Sequence, residues 1–268
     1  MVGSFSLQLQ IETPGVHESR QMRFQVPIPR PDAAVRLYCF PYAGGAAASY
    51  VGWARALEAH SIEVAAAQPP GRNGAPNETP CDDLDRLVGM FADEIEAAID
   101  RPFALFGHSF GALVAFEVAR RLRERQAPGP MHLFVSGAFA PQLPTDGAAL
   151  RFVEGDTPFL EAVAAKYGGV PRIVLEQADL RSSVVPALRA DLSLTETYVY
   201  RIAPPLACPI SAYAGSADPI VSSDRLAQWR EQTSGEFSNR LFDGHHFYLN
   251  RCRDALLADL ASRLFRCV

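Results

Sequence analysis

Short apolar segments of strand length alternate along the chain with longer segments in which apolar residues recur at helical spacing. Residues 82–99 illustrate the helical pattern, and their first turn carries acidic residues that suit the helix dipole. Further helices are predicted at 53–57 and 112–125. Alternating strands and helices predict a mostly parallel central sheet flanked by helices, an α/β fold. The predicted strands lie at 23–26, 35–40, 62–67, 103–107, 132–139, 209–215 and 236–242.

The alternation is interrupted between the predicted strands at 132–139 and 209–215. The intervening residues contain helical segments but no strand pattern, and a crossover between neighbouring strands needs far fewer residues. We therefore predict a helical lid, inserted over one edge of the sheet, at about 140–205. Residues 1–22 are polar and aperiodic, so we predict an N-terminal extension followed by a single domain over 23–268.

The composition narrows the possible partners and the compartment. A net charge of −5 and a pI near 5.7 argue against nucleic acid or an anionic membrane as a partner. The chain has no apolar run of membrane-spanning length, and its first residues lack the pattern of a secretory signal. The five cysteines form no C-x-x-C pair, which argues against a zinc site or a disulfide framework. These features predict a cytoplasmic protein without a metal.

The clearest candidate for chemistry is the G-x-S-x-G segment at 107–111, with Ser109 at its centre. It follows a predicted strand and opens a predicted helix, which is the setting of a nucleophile elbow. In such an elbow the glycines let strand and helix approach closely, and the serine is held in a strained conformation. A serine at this junction could equally be an ordinary helix N-cap. The motif alone leaves both interpretations open.

A serine nucleophile needs a base, and the base needs an orienting acid. His245 and His246 follow the last predicted strand, where a base is expected, although a surface histidine pair is the simpler alternative. Asp218 follows the strand at 209–215, whereas Asp243 lies so close to the histidines that it more plausibly shapes their turn. Because carboxyl ends of parallel strands share one edge, Ser109, Asp218 and a histidine are expected to meet there.

The reaction also needs donors for a developing oxyanion. The loop after the strand at 35–40 has small residues beyond Tyr42, so the Ala43 N–H could serve together with the Phe110 N–H that follows the serine. The small residues of this loop are also explained by a tight strand-to-helix turn. Both explanations are compatible.

Six motifs occur in order along the chain: CFPYAGG at 39–45, PPGR at 69–72, GHSFGALVAFEVARRL at 107–122, LRAD at 188–191, GSADPIV at 215–221 and GHHFYL at 244–249. Together they resemble the type II thioesterases, the stand-alone editing enzymes of non-ribosomal peptide and polyketide synthases. The resemblance implies an α/β-hydrolase fold with a mobile lid and hydrolysis of acyl groups from the phosphopantetheine arm of carrier proteins, without a cofactor. It also implies Ser109 as nucleophile, Asp218 as acid and His246 as base.

The chain departs from the family pattern next to the catalytic positions. The family often has Met where this chain has Phe110, and His where it has Tyr42, and a small residue usually precedes its base, where this chain has His245. We expect Tyr42, Phe110 and Phe247 to contact the substrate. We also expect a monomer.

Two other functional classes remain to be weighed. A carboxylesterase or acyltransferase would use the same triad on an oxygen ester, and a non-catalytic scaffold would have a broken triad. Within the LRAD motif we expect an ion pair between Arg189 and Asp191 inside the lid, and in the PPGR motif we expect Arg72 to pin its loop against the sheet. A run of arginines is expected to be the solvated end of a helix: Arg120, Arg121, Arg123 and Arg125.

Overall fold

The computed structural model describes residues 22–72, 78–145 and 149–265, so the predicted extension lies outside the described residues except for Met22. The described strands form one sheet in the order β1-β3-β2-β4-β5-β6-β7. β1 is antiparallel to β3, and all other neighbouring pairs are parallel. The strands are β1 (Phe24–Gln25), β2 (Val35–Phe40), β3 (Ile62–Ala67), β4 (Phe103–His108), β5 (Leu133–Ser136), β6 (Ile210–Gly215) and β7 (Phe237–Phe242).

Helices connect the strands, and short 3-10 turns extend several of them. The 3-10 turns are Ala47–Tyr50, Glu58–His60, Leu150–Phe152 and Gln228–Gln232. The α-helices are α1 (Val51–Ala56), α2 (Leu84–Ala97), α3 (Phe110–Glu124), α4 (Asp156–Tyr167), α5 (Arg172–Glu176), α6 (Ala178–Thr197), α7 (Ser223–Ala227), α8 (Tyr248–Arg251) and α9 (Arg253–Leu264).

The sheet is apolar on both faces because helices cover both. Tyr38 and Phe40 of β2 pack into the cluster formed with α2 and α3, whereas Leu37 and Cys39 pack into the cluster formed with α1 and α9. Successive side chains of a strand point to opposite faces, so a strand buried on both sides is almost uniformly apolar. The mostly parallel sheet with helices on both faces confirms the predicted fold class.

The residues between β5 and β6 depart from the alternation, as their sequence predicts. Those described contain α4, α5 and α6 and have an apolar cluster of their own that includes Leu160 and Leu192. We call residues 140–205 the inserted segment. The strand before it is shorter than the predicted 132–139: it ends at Ser136 because Gly137 turns the backbone with φ +58°.

The arginine run at the end of α3 is not simply solvated. Arg120 is 5% exposed and donates to the Glu117 carboxylate at 2.8 Å and to the Arg201 carbonyl at 2.6 Å. Arg123 donates to the Pro205 carbonyl at 3.2 Å. The prediction was therefore wrong for Arg120, which is buried, whereas Arg123 is only half-buried. Both side chains bind the residues that follow α6.

Candidate active site

Ser109 lies at the turn from β4 to α3 with φ +56° and ψ −118°, a conformation that residues other than glycine rarely adopt. Two glycines make this turn possible. A Cβ on Gly107 would lie 2.0 Å from the Gly111 carbonyl oxygen, and a Cβ on Gly111 would lie 2.1 Å from that of Phe40. The Ser109 side chain makes no capping hydrogen bond to α3. Its hydroxyl is thus directed to another partner.

That partner is a histidine on the loop after β7. His246 Nε2 lies 3.0 Å from Ser109 Oγ, and His246 Nδ1 lies 2.9 Å from Asp218 Oδ2. The second carboxylate oxygen of Asp218 accepts the Ile220 N–H at 2.9 Å, which orients the acid. With its Nδ1 proton donated to Asp218, the imidazole presents Nε2 as an acceptor for the serine hydroxyl. His246 is 1% exposed, so water hardly competes for these bonds.

The alternative base, His245, and the alternative acid, Asp243, contact other groups. His245 is exposed, and its Nδ1 lies 3.0 Å from the Ala217 carbonyl oxygen. Asp243 is also exposed and lies 3.4 Å from the Arg251 guanidinium. Both side chains contribute to the turn that carries His246, and neither contacts Ser109 in the described structure.

His108 lies beside the site, and the sequence did not predict this position of its side chain. It is fully buried, and its Nδ1 lies 2.9 Å from Ser136 Oγ, which in turn lies 2.6 Å from the Tyr248 hydroxyl. The His108 ring centroid is 5.2 Å from that of His246. Burial, and secondarily the nearby His246, hold the pKa of His108 well below its usual value. An uncharged ring therefore packs beside His246.

The backbone beside Ser109 offers donors. Among the hydrogen bonds of the described residues, the N–H groups of Ala43 and Phe110 have no protein acceptor. The Phe110 N–H is the first of α3 and lies at the positive end of the helix dipole. The next two N–H groups after Ala43 are engaged, Gly44 with the Asp191 carboxylate at 2.7 Å and Gly45 with the Tyr42 carbonyl at 2.8 Å.

Comparison with known proteins assigns the chain to a family. Its sequence matches the thioesterase-domain family model over residues 35–264. The chain belongs to the thioesterase family.

Relatives of this thioesterase are similar over nearly their whole length. The gramicidin S biosynthesis protein GrsT of Aneurinibacillus migulanus is 39% identical over 87% of this chain and 90% of its own. The solved RedJ thioesterase of the prodiginine pathway in Streptomyces coelicolor is 40% identical, with a TM-score of 0.79 over 88% of this chain and 96% of its own. The type II thioesterase BorB of the borrelidin cluster is 36% identical, with a TM-score of 0.80 over 90% and 97%.

Arg72 of the PPGR motif and Asp191 of the LRAD motif pair with each other, which differs from the prediction. Arg72 and Asp191, both almost fully buried, form an ion pair that joins the loop after β3 to α6. Arg72 also donates to the Gly45 carbonyl at 2.9 Å and to the Pro70 carbonyl at 3.0 Å. Arg72 therefore pins its loop, as predicted, and also holds the inserted segment.

The predicted ion pair between Arg189 and Asp191 is absent from the described structure, and that prediction was wrong. Arg189 donates to the Val153 carbonyl at 2.8 Å and the Gly155 carbonyl at 2.9 Å, with its guanidinium 4.0 Å from the Phe159 ring centroid. Residues two apart on a helix do not face each other. The two side chains of this motif therefore serve opposite sides of α6.

Two cavities of the thioesterase open onto Ser109 and His246. The smaller, about 220 Å³, is lined by apolar side chains of the inserted segment together with Tyr42, Ala43 and Phe247. The larger, about 560 Å³, is bordered by Phe110, which is itself only 4% exposed. The residues predicted to contact substrate thus divide between the cavities.

Among the described residues, no group of three or more His, Cys, Asp or Glu side chains is arranged to hold a metal ion. In the same part of the chain, every helix is too short or too polar to cross a bilayer.

Proposed function

We propose that this thioesterase hydrolyses acyl thioesters from the phosphopantetheine arm of carrier proteins, as an editing or release enzyme of non-ribosomal peptide or polyketide synthesis. The observation that carries the proposal is the hydrogen-bonded chain from Ser109 through His246 to Asp218, at the point where two cavities meet. A thioester carbonyl held there has room for a group on each side. The relatives from gramicidin S biosynthesis, the prodiginine pathway and the borrelidin cluster support the substrate class.

The first half of the reaction transfers the acyl group to the enzyme. His246 accepts the proton of Ser109 Oγ as this oxygen attacks the thioester carbonyl, and Asp218 stabilises the imidazolium that forms. The N–H groups of Ala43 and Phe110 bind the oxyanion. Collapse of the tetrahedral intermediate breaks the C–S bond. Because a thiol has a pKa of about 8.5, the sulfur leaves readily and takes the proton from His246.

The second half releases the product. Water gives a proton to His246 as its oxygen attacks the acyl-Ser109 ester, and the tetrahedral intermediate again places its oxyanion on the same two N–H groups. The C–O bond to Ser109 then breaks, and the serine oxygen recovers the proton from His246. The products are a carboxylic acid and the free enzyme, and every proton is accounted for without a cofactor.

The assignment of partners and domains is part of the same proposal. Carrier-protein domains are the macromolecular partners, the inserted segment is the lid through which their arm enters, and the enzyme acts as a cytoplasmic monomer in a single domain. Four free thiols among the described residues suit a reducing compartment: Cys39, Cys81, Cys208 and Cys252.

The test uses carrier protein loaded with an acyl group and follows deacylation by intact-protein mass. Wild-type enzyme is expected to regenerate free phosphopantetheinyl carrier, and Ser109→Ala to lose this activity by a factor of about 10³ or more. Ser262→Ala, at an exposed position of α9, is the matched control and should match wild type.

A matched pair of acyl-pantetheine and acyl oxygen esters separates the proposal from its rival. A kcat/KM higher for the oxygen ester would favour a carboxylesterase and overturn the substrate class. Failure of a fluorophosphonate probe to label Ser109 would overturn catalysis by this serine.

A further inference from the structure

The turn after β2 carries the Ala43 N–H, and it lies beside the nucleophile. Tyr42, Ala43 and Gly44 line the smaller cavity together with Ser109. The Tyr42 carbonyl accepts the Gly45 N–H at 2.8 Å, and Gly44 has φ +75° whereas Ala43 has a negative φ, which is the pattern of a type II turn. The Ala43 N–H shares a trans peptide unit with the Tyr42 carbonyl and points the opposite way. The turn therefore fixes the direction of this N–H.

Two side chains from distant parts of the chain hold the rest of the turn. The Gly44 N–H donates to the Asp191 carboxylate at 2.7 Å, and the Gly45 carbonyl accepts from Arg72 Nε at 2.9 Å. Asp191 and Arg72 form an ion pair, and each side chain is only 3% exposed. Rotation of the turn would leave these buried polar groups without partners, which is costly.

α6 of the inserted segment also packs directly on this turn. A Cβ on Gly44 would lie 3.3 Å from the Leu188 Cβ, three residues before Asp191 on the same helix. Leu188 and Leu192, on either side of Asp191, belong to the apolar cluster of the inserted segment, and Ala43 packs against that cluster. The position of the Asp191 carboxylate is thus determined by the packing of the inserted segment.

We propose that Asp191, paired with Arg72, is a positioning residue that fixes the Ala43 N–H for the oxyanion. The inference rests on the proposed function, in which Ala43 is an oxyanion donor. In the described structure neither Asp191 nor Arg72 lines either cavity, so the pair acts through the turn rather than by contact with substrate. A donor displaced by about 1 Å can lower the rate about a hundredfold. The oxyanion site is complete only while α6 packs on the turn.

The first test removes both charges together, so that neither is left buried without its partner. In the double variant Arg72→Met/Asp191→Leu, apolar side chains replace the ion pair, an exchange that is often neutral for stability. The turn loses its bonds from Gly44 and Gly45. We expect kcat for a straight-chain acyl-pantetheine thioester to fall about tenfold to a hundredfold, with KM changed less than about threefold. Both halves of the reaction use the same N–H, so kcat falls whichever half is slower.

A second variant keeps the charge pair and decides the matter if the double variant does not fold. Asp191→Glu can still pair with Arg72, but its carboxylate is one methylene further from the helix, so Gly44 is no longer held at the same place. We expect a fall in kcat of about tenfold at nearly unchanged KM. A folded Asp191→Glu with the kcat of wild type would contradict the positioning role.

Glu196→Asp is the matched control, a change of one methylene at another buried carboxylate of α6. Glu196 accepts the N–H groups of Leu150 and Arg151, both within the inserted segment. Its kcat should stay within about threefold of wild type, even where urea denaturation shows a loss of stability. An equal fall in kcat for both variants would show that any disturbance of α6 suffices, and would overturn the specific role of Asp191.

A third variant tests whether Asp191 acts through Ala43. Ala43→Pro removes the N–H and retains the turn, because proline is favoured at the second position of a type II turn. Alone it should lower kcat by a factor of about 10²–10³. Added to Ala43→Pro, Asp191→Glu should lower kcat by less than about a further threefold, because the donor is already absent. Two full losses that multiply would overturn the route through Ala43.

The outcomes separate this inference from the proposed function. An Ala43→Pro enzyme as active as wild type would overturn Ala43 as oxyanion donor and this inference with it. Loss of activity in Ala43→Pro, combined with the kcat of wild type in a folded Asp191→Glu, would overturn only the role of Asp191. A wild-type enzyme that hydrolyses no acyl-pantetheine thioester would overturn the proposed function itself.

Discussion

Arg72 and Asp191 are 119 residues apart in sequence and form a buried ion pair between the loop after β3 and α6. The Asp191 carboxylate also accepts the Gly44 N–H at 2.7 Å. One carboxylate of α6 thus holds both the PPGR loop and the residue that follows Ala43. Burial raises the pKa of Asp191, and the neighbouring Arg72 and Gly44 N–H act against that rise.

Removing the carboxylate is expected to destabilise the protein strongly. Asp191→Ala leaves the buried Arg72 guanidinium without its counter-charge, which costs about 3–5 kcal/mol of unfolding free energy. Glu176→Ala is the matched control: its ion pair with Arg172 is exposed, so the loss should stay below about 0.5 kcal/mol. Urea denaturation measures both. Equal losses in the two variants would contradict the special role of the buried pair.

The two adjacent histidines should differ sharply in their effect on catalysis. We expect His246→Ala to lower kcat/KM for an acyl-pantetheine thioester by a factor of about 10³ or more, because Ser109 loses its base. His245→Ala should change it less than about threefold, because that ring is exposed and, among the described residues, its hydrogen bond is to the Ala217 carbonyl. Steady-state thiol release measures both. A larger loss for His245→Ala would transfer the role of base to that residue.

The nucleophile turn depends on the absence of a side chain at Gly107. Gly107→Ala would place a Cβ 2.0 Å from the Gly111 carbonyl oxygen, and strand and helix must move apart at a cost of about 3 kcal/mol. Gly129→Ala is a clean control, since no atom lies within 4 Å of its Cβ position. Thermal unfolding should show a large decrease in Tm for the first variant only. A fully stable Gly107→Ala would refute the close-packing argument.

A buried histidine far from the triad should make stability depend on pH. His132 Nε2 lies 2.8 Å from Ser211 Oγ, and burial lowers the pKa of His132 from 6.5 to about 4. Between these values the unfolded chain binds a proton that the folded protein does not. The contribution of neutral His132 to the free energy of unfolding is therefore complete above pH 6.5 and is lost as pH falls toward 4.

The size of this effect follows from the shift in pKa. His132 should lower the unfolding free energy by about 2 kcal/mol between about pH 7.5 and about pH 5. His132→Leu removes the titrating group. Over the same pH interval, the unfolding free energy of this variant, measured in urea, should therefore fall by about 2 kcal/mol less than that of wild type. An identical pH dependence in wild type and variant would show that His132 is not responsible.

Much of the fold follows from the sequence because local patterns decide it. The strands at 35–40 and 62–67 have the predicted bounds, since buried parallel strands are continuous apolar runs. The approximate place of Ser109, Asp218 and His246 was also predictable, because carboxyl ends of parallel strands share an edge. The G-x-S-x-G segment by itself left a nucleophile elbow and a helix N-cap both open, and the structure shows the strained turn, with Ser109 at φ +56°.

The remaining features depend on contacts between segments that are distant in the chain. Sequence spacing favoured Arg189 as partner of Asp191, but helical geometry turns the two side chains apart, and the packing of α6 on the core presents Asp191 to Arg72. The placement of α4 brings its last residue, Tyr167, to the border of both cavities. Sequence alone therefore determined which loops meet at the sheet edge, through periodicity and strand order. Only the tertiary structure decided which side chains pair and which line the cavities, because those choices depend on how whole elements pack.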